Sequence, residues 1–270
     1  MFNFRFAGLI AAFIIIFYSC SNDSPVTPNN EDPQNSSYLK VLTAESGTLK
    51  FELWSVTSNP MRFGYNKIAF KVFENNSPKS NGFVKFFPWL NYSVPTPMKS
   101  TPVSAQFNFT DSMFTGYAIF NTITGSGASW KGTFNYNNQL YSDTADFTVN
   151  AYSAAQILTI IDMQSSYTYY LSLVKPYNPA QGFNTFQVML HRTTDEVTFE
   201  QVNNAQIYIM PWMTMGHGSS NNVHPAYTTD GIYQGTLNFN MPGSWTVYDT
   251  VYHDSHKITG NIPPKFIFNP

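Results

Sequence analysis

Charge is scarce in this chain. Asp, Glu, Lys and Arg make up 11% of its 270 residues, under half of the roughly 25% usual for a soluble domain. The 14 Lys and Arg are balanced by 16 Asp and Glu, for a formal net charge of −2. No basic field is available to hold a phosphate backbone, which excludes nucleic acid as a partner class. Cysteine occurs once, at Cys20, so no disulfide framework can stabilise the fold. Catalytic signatures are missing as well: there is no Gly-x-Ser-x-Gly elbow, no Walker phosphate loop and no His-Glu-x-x-His, and the chain reads as a non-enzyme. Gly125-Ser126-Gly127 stands in a half of the chain that has no His to act as base, and it reads as a turn.

Aromatic residues and asparagine are abundant. With 24 Phe, 17 Tyr and 5 Trp the chain has ample material for a core, which rules out wholesale disorder. Its polarity comes from 27 Asn and from Ser and Thr, residues that favour turns and strand surfaces over helices. This is an all-β, extracytoplasmic composition.

The N-terminus has Arg5, then an uncharged run from Phe6 to Tyr18, then Ser19-Cys20. That run is shorter than the roughly 20 residues a spanning helix needs and fits the apolar region of a secretory signal. Residues 1–19 resemble a bacterial lipoprotein signal, with Phe17 where Leu is usual and Cys20 as the lipidated N-terminus. An ordinary signal peptide with a coincidental Cys is the alternative. Residues 20–37 read as the lipidated Cys and a flexible tether. The expected location is the cell envelope, with a lipid anchor in the outer membrane of a gram-negative bacterium, facing the periplasm or the outside.

Beyond the tether the chain repeats itself. Asn59-Pro60, Thr110-Asp111, Gly116 and Phe147 recur as Asn178-Pro179, Thr229-Asp230, Gly235 and Phe266, each 119 residues on. Pro88-Trp89 recurs as Pro211-Trp212. Two homologous units are expected, 38–153 and 154–270. Within them the alternation is that of strands: 48–56 and 68–73 in the first, 167–174, 186–190 and 205–210 in the second, with last strands at 147–149 and 265–268. Asn137-Asn138 and His253 to His256 fall at equivalent hairpin tips. Residues 154–162 suit a strand better than a helix. About seven strands per unit predict two tandem immunoglobulin-like β-sandwiches.

All five His lie in the second unit, at 191, 217, 224, 253 and 256. Two of them sit in the densest chemical pattern of the chain, from Met210 to His224, with Met241-Pro242-Gly243-Ser244-Trp245 following. Thioether sulfur favours Cu(I) and imidazole binds either copper state. In extended chain, Met213, Met215 and His217 would share a face. The competing reading makes the methionines core filler and the glycine-rich stretch a plain turn.

Pro211-Trp212-Met213-x-Met215-Gly216-His217-Gly218, Asp230-Gly231-x-Tyr233-x-Gly235 and Asn240-Met241-Pro242-Gly243-x-Trp245 together resemble the YtkA-like and FixH-like extracytoplasmic β-sandwich domains. The resemblance covers 205–247; the first unit shares it only in degenerate form, through Pro88-Trp89, Asp111, Phe114, Gly116 and Trp130. Some members of that group are associated with copper handling or oxidase assembly. The resemblance implies a copper site of Met213, Met215, His217, His224 and Met241, with affinity falling as the imidazoles gain protons. It leaves the first unit metal-free. A rival reading is a surface module that uses exposed aromatic rings to bind an envelope protein or a glycan, its Met/His loop being structural. His253-Asp254-Ser255-His256 reads as a solvated turn rather than a metal clip.

Overall fold

The computed structural model describes residues 38–270 except 57–59, 94–96 and 126, and all regular structure among them is strand. Cys20, the signal segment, the tether and Ser126 lie outside the described residues. The first half contains β1 (Leu39–Ser46), β2 (Leu49–Ser55), β3 (Gly64–Glu74), β4 (Phe83–Tyr92), β5 (Phe107–Thr110), β6 (Met113–Phe120), β7 (Ala128–Tyr136) and β8 (Gln139–Phe147). The second contains β9 (Ile157–Ile161), β10 (Thr168–Lys175), β11 (Gly182–Thr193), β12 (Gln206–Met213), β13 (Val223–Tyr227), β14 (Ile232–Phe239), β15 (Trp245–His253) and β16 (Lys265–Phe268). Pairing runs β1-β2-β3-β6-β5-β4-β7-β8 in the first half. The second half repeats this order with one break, as β9-β10-β11-β14-β13 and β12-β15-β16. Each strand therefore has its counterpart eight strands on, one more long strand per half than the alternation suggests.

The reason lies in the side-chain pattern. In β2 the alternate residues Leu49, Phe51 and Leu53 are buried while Lys50 and Glu52 face outward, the period-2 signature of a half-buried strand. Such residues gather into two separate cores. One holds Leu53, Phe70, Phe86, Trp130 and Phe147, with Phe86 stacked on Phe134 at 5.3 Å. The other holds Leu171, Phe186, Val188, Trp245 and Phe266. Each fully buried Phe contributes about 1.5–3 kcal/mol relative to exposure. The first half departs from expectation at its end: the strand after the Asn137-Asn138 tip stops at Phe147, and Val149–Asn150 pairs in parallel with Met61–Arg62.

The two halves share buried polar fittings. Asn66, at the start of β3, accepts the Arg62 N–H at 3.1 Å and donates to the Arg62 and Gly64 carbonyls at 2.7 and 2.9 Å. Asn184 at the start of β11 makes the same three bonds, with Ala180 N–H at 2.9 Å and the Ala180 and Gly182 carbonyls at 2.8 and 2.9 Å. The hairpin tips match too: Asn137 and Asn138 (φ 50 and 63) correspond to Asp254 and Ser255 (φ 49 and 66), the left-handed pair of a tight two-residue turn. Gly116 and Gly235 are both required for close approach, since a Cβ would lie 2.6 Å from the Phe107 ring in one and 2.4 Å from the Val223 carbonyl oxygen in the other.

The halves pack through sheet faces. Tyr117 and Ile119 of β6 form a small cluster with Val174 of β10 and Met189 of β11. The Tyr117 hydroxyl donates to Gln201 Oε1 at 3.3 Å and lies 2.9 Å from His191 Nε2, which then carries the hydrogen of that contact. An ion pair between Lys99 and Glu196 and a 2.9 Å bond from the Ser100 N–H to the Glu196 carbonyl close the margin.

Because each of the two asparagines satisfies three backbone groups with no water to replace it, Asn184→Ala and Asn66→Ala each cost about 2–4 kcal/mol. Thermal melts of the two variants are expected to show matching losses; a loss under 1 kcal/mol at either site contradicts the equivalence.

Candidate functional site

β12 delivers the Met/His loop. Its last residue, Met213, faces Trp245 across the ladder to β15. There the chain turns instead of extending: the Gly216 N–H donates to the Met213 carbonyl at 2.9 Å, and the Met213 N–H donates to the His217 carbonyl at 2.8 Å. The alternation expected of Met213, Met215 and His217 is broken by this turn. Met213 points into the core at 4% exposure, and Met215 stands in solvent at 72%. The Met213 Cε lies so near Gly243 (φ +126) that a Cβ there would sit 2.6 Å from it.

Trp245 organises what remains. Its ring is fully buried, its Nε1 donates to the Met241 carbonyl at 3.0 Å, and His217 meets it edge to face at 5.8 Å. His217 thus meets one edge of the indole and Met213 is its ladder partner, while Met241 reaches it through a backbone carbonyl and Met215 stands on the same turn as His217. His224 does not join them. Its Nδ1 accepts the Ile209 N–H at 3.1 Å, four residues up β12 from Met213, or about 13 Å at strand rise. Donors on one metal lie within about 5 Å of each other, given ligand distances near 2.0–2.3 Å, so the five residues do not form one coordination sphere. Among the described residues, no three His, Cys, Asp or Glu gather as a metal-holding group.

The role of His224 is legible by comparison with the first half. There β5 pairs with β4 through Phe83–Asn108 and Val84–Phe107. In the second half β13 bulges at His224-Pro225 and pairs only with β14. The imidazole supplies an acceptor to an amide of β12 that faces the bulged strand.

The outer face of β12 is the feature that the sequence reading missed. Ile207, Ile209 and Met213 face the core, while Tyr208, Met210 and Trp212 face out. Across the ladders, Gln206, Tyr208, Met210 and Trp212 lie opposite Tyr252, Thr250, Tyr248 and Thr246, and the last two lie opposite Lys265 and Ile267. Tyr208, Met210, Trp212, Tyr252 and Ile267 are between 38% and 54% exposed, an exposed apolar patch of the kind that marks a contact surface. Tyr208 is held edge-on by His224 at 5.1 Å and by Tyr252 at 5.9 Å. Apolar residues at both parities of 207–213 were the available signal. The equivalent positions of β4 are Phe83, Lys85, Phe87 and Trp89, the last three opposite Asn135, Thr133 and Lys131, with Phe87 exposed and Lys131 paired to Asp146 at 3.4 Å.

The His253–His256 tip is internally satisfied. His253 contacts the Tyr169 hydroxyl and Asn204 Oδ1, each at 3.0 Å, and His256 Nε2 lies 3.0 Å from Asp162 Oδ2. That carboxylate raises the affinity of His256 for its proton.

With this geometry in place, comparison with known proteins bears on the second half. Residues 163–249 match the YtkA-like family. The YtkA-like segment spans β10 to most of β15, so it holds Trp245, the Met/His loop and the aromatic strand. The first half shares its strand order and lies outside the match. No curated protein matches the chain. Similar solved structures include the FdeC adhesin of Escherichia coli, at 13% identity over 84% of this chain and 65% of that one, with a TM-score of 0.26. A conserved domain protein from Bacillus anthracis is similar at 10% identity over 88% and 90%, with a TM-score of 0.32. Domains 5-6 of the S-layer protein SbsC are similar at 14% identity over 87% and 98%, with a TM-score of 0.28.

Two buried ionisable groups set the pH response of the fold. Asp249 of β15 is fully buried, neither carboxylate oxygen has a partner, and burial raises its pKa well above 3.8. Burial pushes His191 down from 6.5 to about 3. The unfolded chain binds the extra proton at His191 between those values, so stability is lost as pH falls from 6.5 toward 3. At Asp249 the folded state holds the extra proton, so stability is lost as pH rises above 3.8. Asp249→Val is expected to raise the melting temperature at pH 7, by about 1–3 kcal/mol of stability, and to do so less at pH 4. Equal gains at both pH values, or a loss at pH 7, would show that the carboxyl is not buried as a protonated acid.

Proposed function

We propose that this chain is a non-enzymatic cell-envelope protein, anchored through a lipid on Cys20 at the outer membrane of a gram-negative bacterium, that binds its partner on the outer face of the β12–β15–β16 sheet. The observation that carries this is the row Tyr208, Met210 and Trp212, exposed on a rigid strand beside Tyr248 and Tyr252. Rings on a sheet offer large contact area and lose little conformational entropy on binding, which is why Trp and Tyr dominate binding hot spots. Nothing in the fold requires these side chains, since the inward residues of β12 supply its core contacts.

A second reading is favoured by a separate observation. His217 lies edge to face on Trp245, Met213 is the ladder partner of that tryptophan and Met241 bonds its indole through the main chain, and sulfur with imidazole is the donor chemistry of Cu(I). His217 and Met241 would hold the ion, Met213 lining it from the core side, and His224 would stay on Ile209.

Binding is tested with the full chain carrying Cys20→Ser, cosedimented with an outer-envelope fraction. Tyr208→Ala with Trp212→Ala is expected to reduce binding at least tenfold at an unchanged melting temperature; undiminished binding contradicts the proposal. For the second reading, Cu(I) titration of the same protein against a competing chelator is followed by tryptophan emission. One equivalent is expected, abolished by His217→Ala with Met241→Ala and untouched by His224→Gln. Equal titration of wild type and the double variant ends the copper reading.

A further inference from the structure

The binding face has a chemical character that narrows its ligand. Its four cross-strand rows are Gln206–Tyr252–Lys257, Tyr208–Thr250, Met210–Tyr248–Lys265 and Trp212–Thr246–Ile267. Rows two residues apart are spaced by about 6.8 Å, so the face runs for about 20 Å along the strands. Tyr208, Tyr248, Tyr252 and Trp212 supply ring faces with a polar tip, and Thr246, Thr250 and Gln206 supply hydroxyl and amide groups between them. None of the residues in these rows is acidic. The charged groups are Lys257 and Lys265, both on the margin away from β12, and neither has a carboxylate within ion-pair distance among the described residues.

Resting on the reading of this face as the binding surface, we propose that its ligand is an acidic polysaccharide laid along the strands. Sugar rings stack on the aromatic row, where an apolar body with a polar tip suits both faces of the ligand. Ring hydroxyls bond to Thr246, Thr250 and Gln206, and carboxylates reach Lys257 and Lys265. A neutral glycan leaves the two ammonium groups unanswered, and an acidic polypeptide leaves the rings without sugar faces to stack on. The matching face of the first half engages its cations differently: Lys131 is paired to Asp146, and Lys85 donates to Asn138 Oδ1 at 3.1 Å.

The test is affinity electrophoresis of the full chain carrying Cys20→Ser, in gels containing polygalacturonate, neutral dextran or polyglutamate. Retardation by polygalacturonate alone is expected. Tyr208→Ala with Trp212→Ala should weaken it at least tenfold, and Lys257→Gln with Lys265→Gln several-fold, with a flatter salt dependence. Equal retardation by polyglutamate, or loss in the lysine variant without loss in the aromatic one, reduces the effect to charge and overturns the inference. No retardation by polygalacturonate, while envelope binding still depends on Tyr208 and Trp212, overturns the inference and leaves the binding face standing. Loss of both dependences removes the two together.

Discussion

The indole hydrogen of Trp245 is the constraint on which the second half depends. A fully buried N–H without an acceptor costs about 1–3 kcal/mol, and the Met241 carbonyl supplies the acceptor. That bond fixes the 241–244 turn ahead of β15, which in turn packs Gly243 against Met213. The same ring closes the end of the β12 ladder and carries His217 on its edge. In the first half Trp130 donates to the Thr122 carbonyl at 2.9 Å, with Thr122 standing 119 residues before Met241. The tryptophan–carbonyl bond therefore belongs to the fold that both halves share. Methionine and histidine are what the second half adds around it.

Packing between the halves decides which surfaces remain. β6 gives Tyr117 and Ile119 to the contact, and β10 and β11 give Val174, Met189 and His191. Each half thereby covers part of the outer face of its first sheet. The outer faces of β4–β7–β8 and β12–β15–β16 are left to solvent; the first sets Phe87 and Trp89 among lysines, the second carries the row Tyr208, Met210 and Trp212. A lysine at position 85, its amine 3.1 Å from Asn138 Oδ1, stands where the second half has Tyr208. The two faces hold equivalent places in the repeated strand order and differ in their side chains.

Much of this was legible in the sequence. The 119-residue recurrence anticipated a strand order repeated eight strands on, because the landmarks that recur are turn residues and close-packed glycines whose backbone requirements cannot drift. The Asn137-Asn138 and 253–256 tips were readable for the same reason. The candidate site was less legible. Spacing alone cannot show that the chain turns at Gly216, so Met213 and Met215 were placed on one face when hydrogen bonds send them to opposite environments. Nor can spacing show that His224 is occupied by a backbone amide. The aromatic face escaped because outward residues of β12 are as apolar as inward ones, which hides the alternation that separates them.

The departure at His224 and the exposed face are linked. In the first half β4 and β5 pair through Phe83–Asn108 and Val84–Phe107. In the second half β13 bulges at His224-Pro225 without pairing to β12, and an imidazole serves the amide of Ile209. A ladder residue would use backbone atoms and leave Tyr208 without a neighbour on that side. An imidazole offers, besides its nitrogen, a ring against which Tyr208 packs at 5.1 Å, with Tyr252 holding the other side. The phenol is thereby fixed upright on the sheet instead of lying free, and a fixed ring loses less entropy when a ligand stacks on it. The histidine that satisfies the Ile209 amide also preorganises the first ring of the aromatic row, so one side chain at the bulge serves both the backbone and the binding face.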